Sequence, residues 1–356
     1  MFFGNHLIVG VSGTALTDED KRILSKLKPV GVCFFAKNFR DGEPYEVWLQ
    51  SFRKMSEEIR EYTERESMFI SIDHEGGRVI RPPLPITRFP YTYVCRQRGR
   101  EVGKAMATEL KSLGINVSWA PVADVFSNPN NPIIGPRAFD KTPQVAAKYA
   151  REYFLGLKES GIIACAKHFP GHGDTSTDSH LALPVLNLTK EELQQRELIP
   201  FKTLIAAEIP LIMTSHIVFP QIGGDKPATF CQPILQEILR EELGFQGVVV
   251  SDDLDMKAVA DMYSQSGTVA QTLNAGCDVF LMCGNLPSSS TERIDFIAKD
   301  FVNSLNNGSL SESVVEAANG RIQNLLNKTP QYSVNMLDKS TLLQHSELAI
   351  ACSLDN

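Results

Sequence analysis

Short apolar runs rich in β-branched residues alternate along the chain with longer segments whose apolar positions recur every three or four residues. Runs of the first kind are typical of strands buried on both faces, and segments of the second kind are typical of amphipathic helices. Their alternation predicts repeated βαβ units and a parallel sheet. The chain offers eight strand candidates, at residues 6–11, 30–35, 68–73, 115–121, 162–167, 211–216, 247–252 and 278–283.

Several of the intervening segments carry signals for the start or end of a helix. Thr17 and Thr189 each stand three positions before an acidic residue, which predicts a helix start at both places, and Thr189 with Glu192 fits a capping box well. Thr142 followed by Pro143 predicts a cap residue and a proline in the first turn. Gly161 is expected to end that helix just before the next strand.

The spacing of these units predicts the architecture. Eight βα units between residues 6 and 326 average about 40 residues each, a size that suits a single closed (β/α)₈ TIM barrel. An open doubly wound sheet is the alternative, but that fold usually has fewer strands and a topological switch point. No shift in composition indicates a second domain. We therefore predict a barrel domain over residues 1–330, followed by a C-terminal tail of uncertain order at residues 331–356.

Composition and charge exclude some classes of protein. A net charge of -7 and an isoelectric point near 5.6 argue against a nucleic-acid partner. No apolar run reaches the roughly 20 residues that a membrane-spanning helix needs, and the amino terminus lacks the basic segment of a signal peptide. The seven cysteines include no C-x-x-C pair, which favours reduced thiols. We expect a cytoplasmic protein with no membrane partner.

Ionisable residues gather just after the predicted strands, where a (β/α)₈ barrel builds its active site. The third strand leads into residues 73–78, the fifth into residues 167–180 and the seventh into residues 251–253. Five of the seven histidines also fall at predicted strand ends, namely His74, His168, His172, His180 and His216.

Each of these features, taken alone, also has an ordinary structural interpretation. Ser251-Asp252-Asp253 fits an N-cap with acidic residues favoured by the helix dipole. Gly76-Gly77 fits a tight turn, and Lys167 with His168 fits a solvated strand end. Their joint occurrence at the same end of one predicted barrel favours an active site.

The combination of a strand-end carboxylate with an Asp-x-His pair on a Gly-containing loop suits glycoside chemistry. A carboxylate can attack an anomeric carbon, and the departing oxygen then needs a separate proton donor. His180 suits that role because the ordinary pKa of histidine is about 6.5, and Asp178 could orient its ring. A metal-dependent hydrolase is an alternative, but Pro170-Gly171 prevents His168 and His172 from forming a helical H-x-x-x-H pair.

Five segments resemble the bacterial β-N-acetylglucosaminidases of glycoside hydrolase family 3, the group associated with cell-wall recycling. The motif KHFPGHGDTSTDSH is highly specific, whereas SDD alone is weak. The matching segments are residues 73–81, 120–124, 131–139, 167–180 and 251–256.

The resemblance implies a role for each matching residue. Asp252 would be the nucleophile of a retaining reaction, with His180 and Asp178 as the acid/base dyad. The choice of Asp252 over Asp253 rests on the resemblance, as does retention itself. Sugar binding is implied for Asp73, Arg81, Arg137, Lys167 and His168.

The resemblance also implies the substrate, which would be terminal β-linked N-acetylglucosamine in peptidoglycan turnover fragments such as N-acetylglucosaminyl-anhydro-N-acetylmuramic acid and its peptides. We expect a monomer that needs no metal and no organic cofactor. The chain departs from the family pattern at Pro136 and at residues 91–100, which affects the cavity rim near Arg137 and the aglycone side. A β-glucosidase, a β-xylosidase and a non-catalytic sugar-binding barrel stay open as alternatives.

Overall fold

The structure, a computed structural model, describes residues 2–176, 183–286 and 289–354. Eight parallel strands pair in chain order, and the last returns to the first to close a barrel. The predicted (β/α)₈ architecture is therefore confirmed. The strands are β1 (Leu7–Gly10), β2 (Gly31–Phe34), β3 (Phe69–Ile72), β4 (Val117–Ser118), β5 (Ile163–Phe169), β6 (Leu211–Thr214), β7 (Val248–Asp253) and β8 (Val279–Met282).

Helices follow the strands and cover the barrel. A π-helix at Pro233–Glu242 lies between β6 and β7. The α-helices of the described residues are α1 (Asp18–Leu27), α2 (Tyr45–Thr63), α3 (Thr92–Cys95), α4 (Gly99–Ser112), α5 (Pro143–Glu159), α6 (Lys190–Gln195), α7 (Leu198–Ala206), α8 (Pro220–Gly223), α9 (Thr268–Ala275), α10 (Thr291–Asn306), α11 (Glu312–Leu326) and α12 (Lys339–Leu354).

The barrel interior is filled by side chains. Successive residues of a strand point to opposite faces, so Val248 and Val250 belong to the interior cluster while Val249 belongs to the outer cluster of the helices. Trp119 and Met213 also fill the interior. A packed barrel leaves no channel through the molecule, so a ligand must bind at one end.

The three predicted helix starts are confirmed. Thr17 and Thr189 form complete capping boxes at α1 and α6. Helix α5 begins at Pro143 as predicted, but the side chain of Thr142 makes no capping hydrogen bond. The backbone N–H of Thr142 instead donates to Asp140 Oδ1 at 2.9 Å. Gly161 has φ +84° just after α5, a conformation that glycine adopts without strain.

Strand β4 is shorter than the pattern predicts. The apolar run covers residues 115–121, but only Val117 and Ser118 form strand pairs with β3 and β5. Pro121 ends the run, and proline has no N–H to donate to a sheet. Beyond it, Val122 makes a single parallel bridge to Lys167.

The C-terminal segment runs back along the barrel. Val334 forms an antiparallel bridge with Leu113, and α12 packs against α3 and α4. Within this contact His345 Nδ1 lies 2.8 Å from Glu109 Oε1. Residues 331–354 therefore lie against the helical layer, and the domain boundary at residue 330 stays a prediction.

Two further features concern the whole described chain. None of its helices has both the length and the apolar character that crossing a membrane would require. All seven cysteines are buried.

Candidate active site

A cavity of about 400 Å³ lies at the carboxyl ends of the strands. The strand ends of β3, β5 and β7 and the loops after β4 and β8 line it. Asp178 and His180 lie outside the described residues. The other six predicted site residues all line this cavity, namely Asp73, Arg81, Arg137, Lys167, His168 and Asp252.

A chain of ion pairs forms one wall of the cavity. Lys167 Nζ lies 2.6 Å from Asp73 Oδ1 and 2.6 Å from Glu75 Oε1. Arg137 binds Glu75 through two nitrogens, at 2.8 and 2.9 Å. Arg81 Nη2 lies 3.4 Å from Asp73 Oδ2. Because the charges are paired and hydrogen-bonded, they can be buried at tolerable cost.

The same pairing keeps these groups charged. Burial acts to raise the pKa of Asp73, but the charges of Lys167 and Arg81 outweigh it and lower the pKa. Glu75 shows the same balance, with Arg137 and Lys167 holding its pKa well below the ordinary value. Burial acts to lower the pKa of Lys167, and the two carboxylates raise it. At neutral pH the wall therefore offers charged donors and acceptors that match sugar hydroxyls.

Asp124, which is fully buried, fixes the end of β5. Its Oδ2 lies 2.7 Å from His168 Nδ1, and its Oδ1 accepts hydrogen bonds from the backbone N–H groups of His168 at 3.1 Å and His172 at 2.7 Å. A carboxylate on Nδ1 leaves Nε2 of His168 as the ring atom available to a ligand in the cavity.

The two carboxyl groups at the end of β7 have different surroundings. Asp253 Oδ1 accepts hydrogen bonds at 3.1 Å from the backbone N–H groups of Asp255 and Cys283. Burial, followed by the charge of Asp255, raises the pKa of Asp253 to about 7. Asp252 is only half-buried, and its Oδ1 accepts from the backbone N–H of Asp253 at 2.8 Å. The carboxyl group of Asp252 is thus the more accessible of the two.

Two other strand-end histidines are held by structural contacts. His216 Nδ1 lies 2.9 Å from Thr229 Oγ1, and its Nε2 lies 3.2 Å from the carbonyl oxygen of Asp253. His172 Nδ1 lies 2.8 Å from Thr175 Oγ1. Burial lowers the pKa of both, to about 4 for His172. Both rings are therefore neutral at pH 7, and His216 supports the end of β7.

Sequence reasoning missed the roles of two carboxylates. Glu75 and Asp124 stand in the motifs that carry the resemblance, yet neither was assigned a function. Glu75 joins Arg137 to Lys167, and Asp124 orients His168. The available signal was an acidic residue just after a buried run, which is the signal that selected Asp73 and Asp252.

A closed barrel whose strand ends hold charged, paired side chains around one cavity defines a barrel enzyme for small polar substrates. The family model for the glycosyl hydrolase family 3 N-terminal domain matches residues 6–325. The chain therefore belongs to glycosyl hydrolase family 3.

Within that family the chain is a glycoside hydrolase of the β-hexosaminidase type. The β-hexosaminidase of Thiobacillus denitrificans is 36% identical over 290 residues, which cover 78% of this chain and 78% of that protein. β-Hexosaminidase A of Pseudoalteromonas piscicida is 32% identical over 92% of this chain and 58% of its own length.

Solved structures agree with this assignment. A family 3 β-N-acetylglucosaminidase from Paenibacillus sp. superposes with a TM-score of 0.87 at 29% identity, over 98% of this chain and 67% of that one. NagZ from Neisseria gonorrhoeae, in complex with N-trifluoroacetyl-D-glucosamine, has a TM-score of 0.77 at 29% identity over 98% of both chains.

Proposed function

We propose that this chain is a retaining exo-β-N-acetylglucosaminidase that releases terminal β-linked N-acetylglucosamine through a covalent glycosyl-aspartate on Asp252. One observation carries the proposal: the accessible carboxyl group of Asp252 lines the same cavity as the charged wall of Asp73, Arg137 and Lys167. A pyranose held by that wall would offer its anomeric carbon to a carboxylate at the end of β7. The mechanism then needs one proton donor in addition to the nucleophile.

Asp252 is favoured over Asp253 as the nucleophile by the surroundings of the two groups. Asp253 is engaged by two backbone N–H groups, and with a pKa near 7 much of it is protonated at neutral pH. A protonated carboxyl group is a poor nucleophile. Asp252 is the more exposed neighbour and lines the cavity.

His180 would be the proton donor in the first step and the base that activates water in the second. Asp178 would orient its ring and favour the protonated form. Support for both roles comes from the family motif that contains them and from the position of β5, whose end leads from the cavity into that motif. The sugar would be bound by Asp73, Arg81, Arg137, Lys167 and His168.

The substrates would be peptidoglycan turnover fragments, N-acetylglucosaminyl-anhydro-N-acetylmuramic acid and its peptides. The cell-wall recycling group that the motifs resemble supports this choice. The presence of an N-acylated glucosamine in the gonococcal NagZ structure supports recognition of a 2-acylamido sugar. We further propose that the enzyme acts in the cytoplasm as a monomer.

Purified protein and a panel of aryl β-glycosides, with and without the 2-acetamido group, test the proposed activity. We expect hydrolysis of the N-acetylglucosaminide and little hydrolysis of the glucoside or xyloside. Proton NMR of the first product should show the β-anomer, as retention requires. Binding of N-acetylglucosamine without turnover of any substrate would instead make the chain a sugar-binding protein.

The covalent intermediate has its own test. A 5-fluoro N-acetylglucosaminyl donor should slow the second step and leave the sugar attached to the protein, and peptide mass spectrometry should locate the adduct on Asp252. An adduct on Asp253 would reassign the nucleophile. Inverted product without any adduct would refute the covalent mechanism.

A further inference from the structure

Glu197 is a buried carboxyl group outside the cavity that the proposed reaction does not use. It immediately precedes α7 and is fully buried. Its Oε1 accepts a hydrogen bond from Arg196 Nε at 2.7 Å, while its Oε2 has no hydrogen-bond partner among the described residues. A buried polar atom without a partner is costly, so a role for this side chain is to be expected.

The side chain of Glu197 supports the loop that follows β5. A Cβ atom added to Gly171 would lie 2.7 Å from Glu197 Oε2 and 2.7 Å from Glu197 Cβ, so the two residues are in direct contact. Gly171 also has φ +141°, which a residue with a side chain rarely adopts. The glycine therefore lets the loop lie directly on Glu197.

Arg196 extends this support further along the loop. Its Nη2 donates to Asp174 Oδ2 at 2.6 Å while its Nε donates to Glu197. One guanidinium thus joins the start of α7 to a residue three positions after Gly171. A planar guanidinium group that is hydrogen-bonded to two acidic side chains at once has little freedom to move.

The segment after β4 contacts the other side of the same loop, residues 171–175. Asn131 Nδ2 donates to the carbonyl oxygens of His172 at 2.8 Å and Gly173 at 3.1 Å. A Cβ atom on Gly173 would lie 1.6 Å from the carbonyl oxygen of Val125. Residues 171–175 are therefore clamped between two structural elements, a few positions before Asp178 and His180 in the sequence.

We propose that Glu197 and Arg196 are positioning residues: they fix residues 171–175 and thereby the direction in which the chain continues toward Asp178 and His180. This inference rests on the proposed function, because it acts through His180. It adds a requirement beyond the acid/base dyad, namely contacts of residues 171–175 with the two residues that precede α7.

We call the contacts of Glu197 and Arg196 with residues 171–175 the anchor, and the ionisation of Glu197 gives it a pH dependence. Burial raises the pKa of Glu197 to about 7; the charge of Arg196 acts against this, and those of Asp124 and Asp174 add to it. The neutral form is therefore the one that the surroundings favour. Ionisation above pH 7 places a negative charge on a buried group beneath Gly171, a cost that the ion pair with Arg196 offsets only in part.

Substrates that differ only in their leaving group test the proposal. A 2,4-dinitrophenyl β-N-acetylglucosaminide needs little protonation of its leaving group, whereas an alkyl β-N-acetylglucosaminide depends on it. Glu197→Ala should lower kcat/KM for the alkyl substrate by about 10- to 100-fold, the usual cost of a small misplacement. It should change kcat/KM for the dinitrophenyl substrate far less.

Two further variants separate positioning from stability. Glu197→Gln imitates the neutral acid, so it should restore kcat/KM for the alkyl substrate that Glu197→Ala loses. Asp174→Asn leaves the buried site intact and should give a smaller loss with the same leaving-group dependence. Glu191→Gln, at an exposed position on α6, is the matched control and should resemble the parent.

The outcomes distinguish the anchor from the proposed function. Equal losses on both substrates, or no loss in Glu197→Ala and Asp174→Asn, would overturn the anchor. If His180→Ala shows the leaving-group dependence and the Glu197 variants do not, only the anchor fails. If the loss in His180→Ala does not depend on the leaving group, the proposed acid/base role of His180 fails. A leaving-group dependence in Glu197→Ala would then indicate that the anchor positions a different proton donor.

Discussion

Asp252 and Asp253 carry the same side chain at adjacent positions of β7, but their surroundings differ. Asp253 accepts two backbone hydrogen bonds and is buried, whereas Asp252 is half-buried in the cavity wall. We expect Asp252→Ala to fold normally and to lose nearly all hydrolysis. Asp253→Ala should instead lose about 1–3 kcal/mol of stability, because it leaves buried donors without a partner. Chemical denaturation and initial rates check both, and an active Asp252→Ala would contradict the assignment.

His180→Ala tests the proposed proton donor. Loss of a general acid/base typically costs about 10² to 10⁴ in rate. The deficit in kcat/KM should shrink as the leaving group improves, because a good leaving group departs without a proton. Steady-state kinetics on a series of aryl β-N-acetylglucosaminides would measure the trend. A deficit that is the same for every leaving group would assign proton donation elsewhere.

Glu75→Gln tests the charged wall. Glu75 is the shared partner of Arg137 and Lys167, and all three side chains are buried. Removing one charge leaves the others uncompensated, which in buried networks typically costs about 3–5 kcal/mol. Thermal and urea unfolding should both show the loss, and KM should rise as the sugar-binding groups shift. Unchanged stability would mean that water or an ion replaces the lost charge.

For single residues, the sequence predicted which side chains line the cavity. It did not predict which of them contact one another. The predicted binding residues and Asp252 were found from strand-end position and motif together. The role of Glu75 was not predictable in the same way, because its partner Arg137 is 62 positions away and the contact exists only after the barrel closes. The contact between Glu197 and Gly171 likewise joins two segments whose separate patterns give no hint of it.

Elements differ in how strongly the local pattern determines them. The eight strands follow from apolar runs, because a strand buried on both faces admits few polar residues. Strand β4 is shorter than its run, since Pro121 cannot donate a hydrogen bond. Helix α12 was not predicted, and its attachment depends on tertiary contacts with α3 and α4 rather than on a clear apolar face.

His345→Ala tests how α12 is attached. His345 Nδ1 and Thr87 Oγ1 both contact the buried Oε1 of Glu109, at 2.8 and 2.5 Å. Loss of the imidazole leaves that carboxylate less satisfied, and we expect a destabilisation of about 1–3 kcal/mol. Amide hydrogen exchange should become faster first in α12, because that helix would be the first part of the chain to detach. His345→Gln, which can still donate, should recover part of the stability, and uniform exchange throughout the chain would argue against a local attachment.

For the molecule as a whole, buried carboxyl groups predict how stability depends on pH. Glu197 and Asp253 have pKa values raised to about 7 in the folded protein. Their contribution to the free energy of unfolding is therefore complete below their ordinary pKa values and is lost as pH rises to about 7. Each contributes a slope of about 1.4 kcal/mol per pH unit in that range. Asp73 and Glu75, with lowered pKa values, act in the opposite direction and lose stability only in acid.

Urea unfolding at a series of pH values measures this dependence. Buried histidines with lowered pKa values, among them His172 and His216, make stability rise over part of this range, so the test compares variants with the parent. Between about pH 5 and pH 7, Asp253→Asn and Glu197→Gln should each remove a downward slope of about 1.4 kcal/mol per pH unit from the free energy of unfolding. The exposed variant Glu191→Gln should leave it unchanged. Variants whose pH dependence matches that of the parent would show that these two groups are ionised in the native state throughout this range.

The pairing of β1 with β8 has a consequence for how the protein is made. Leu7 is synthesised long before its partner Phe280, which stands in the last strand of the barrel. Until then the nascent sheet has two unsatisfied edges, which are natural templates for wrong pairing with other chains. Premature termination anywhere before β8 should therefore yield insoluble fragments, and chaperones that shelter unfinished sheets should determine how much enzyme a cell obtains.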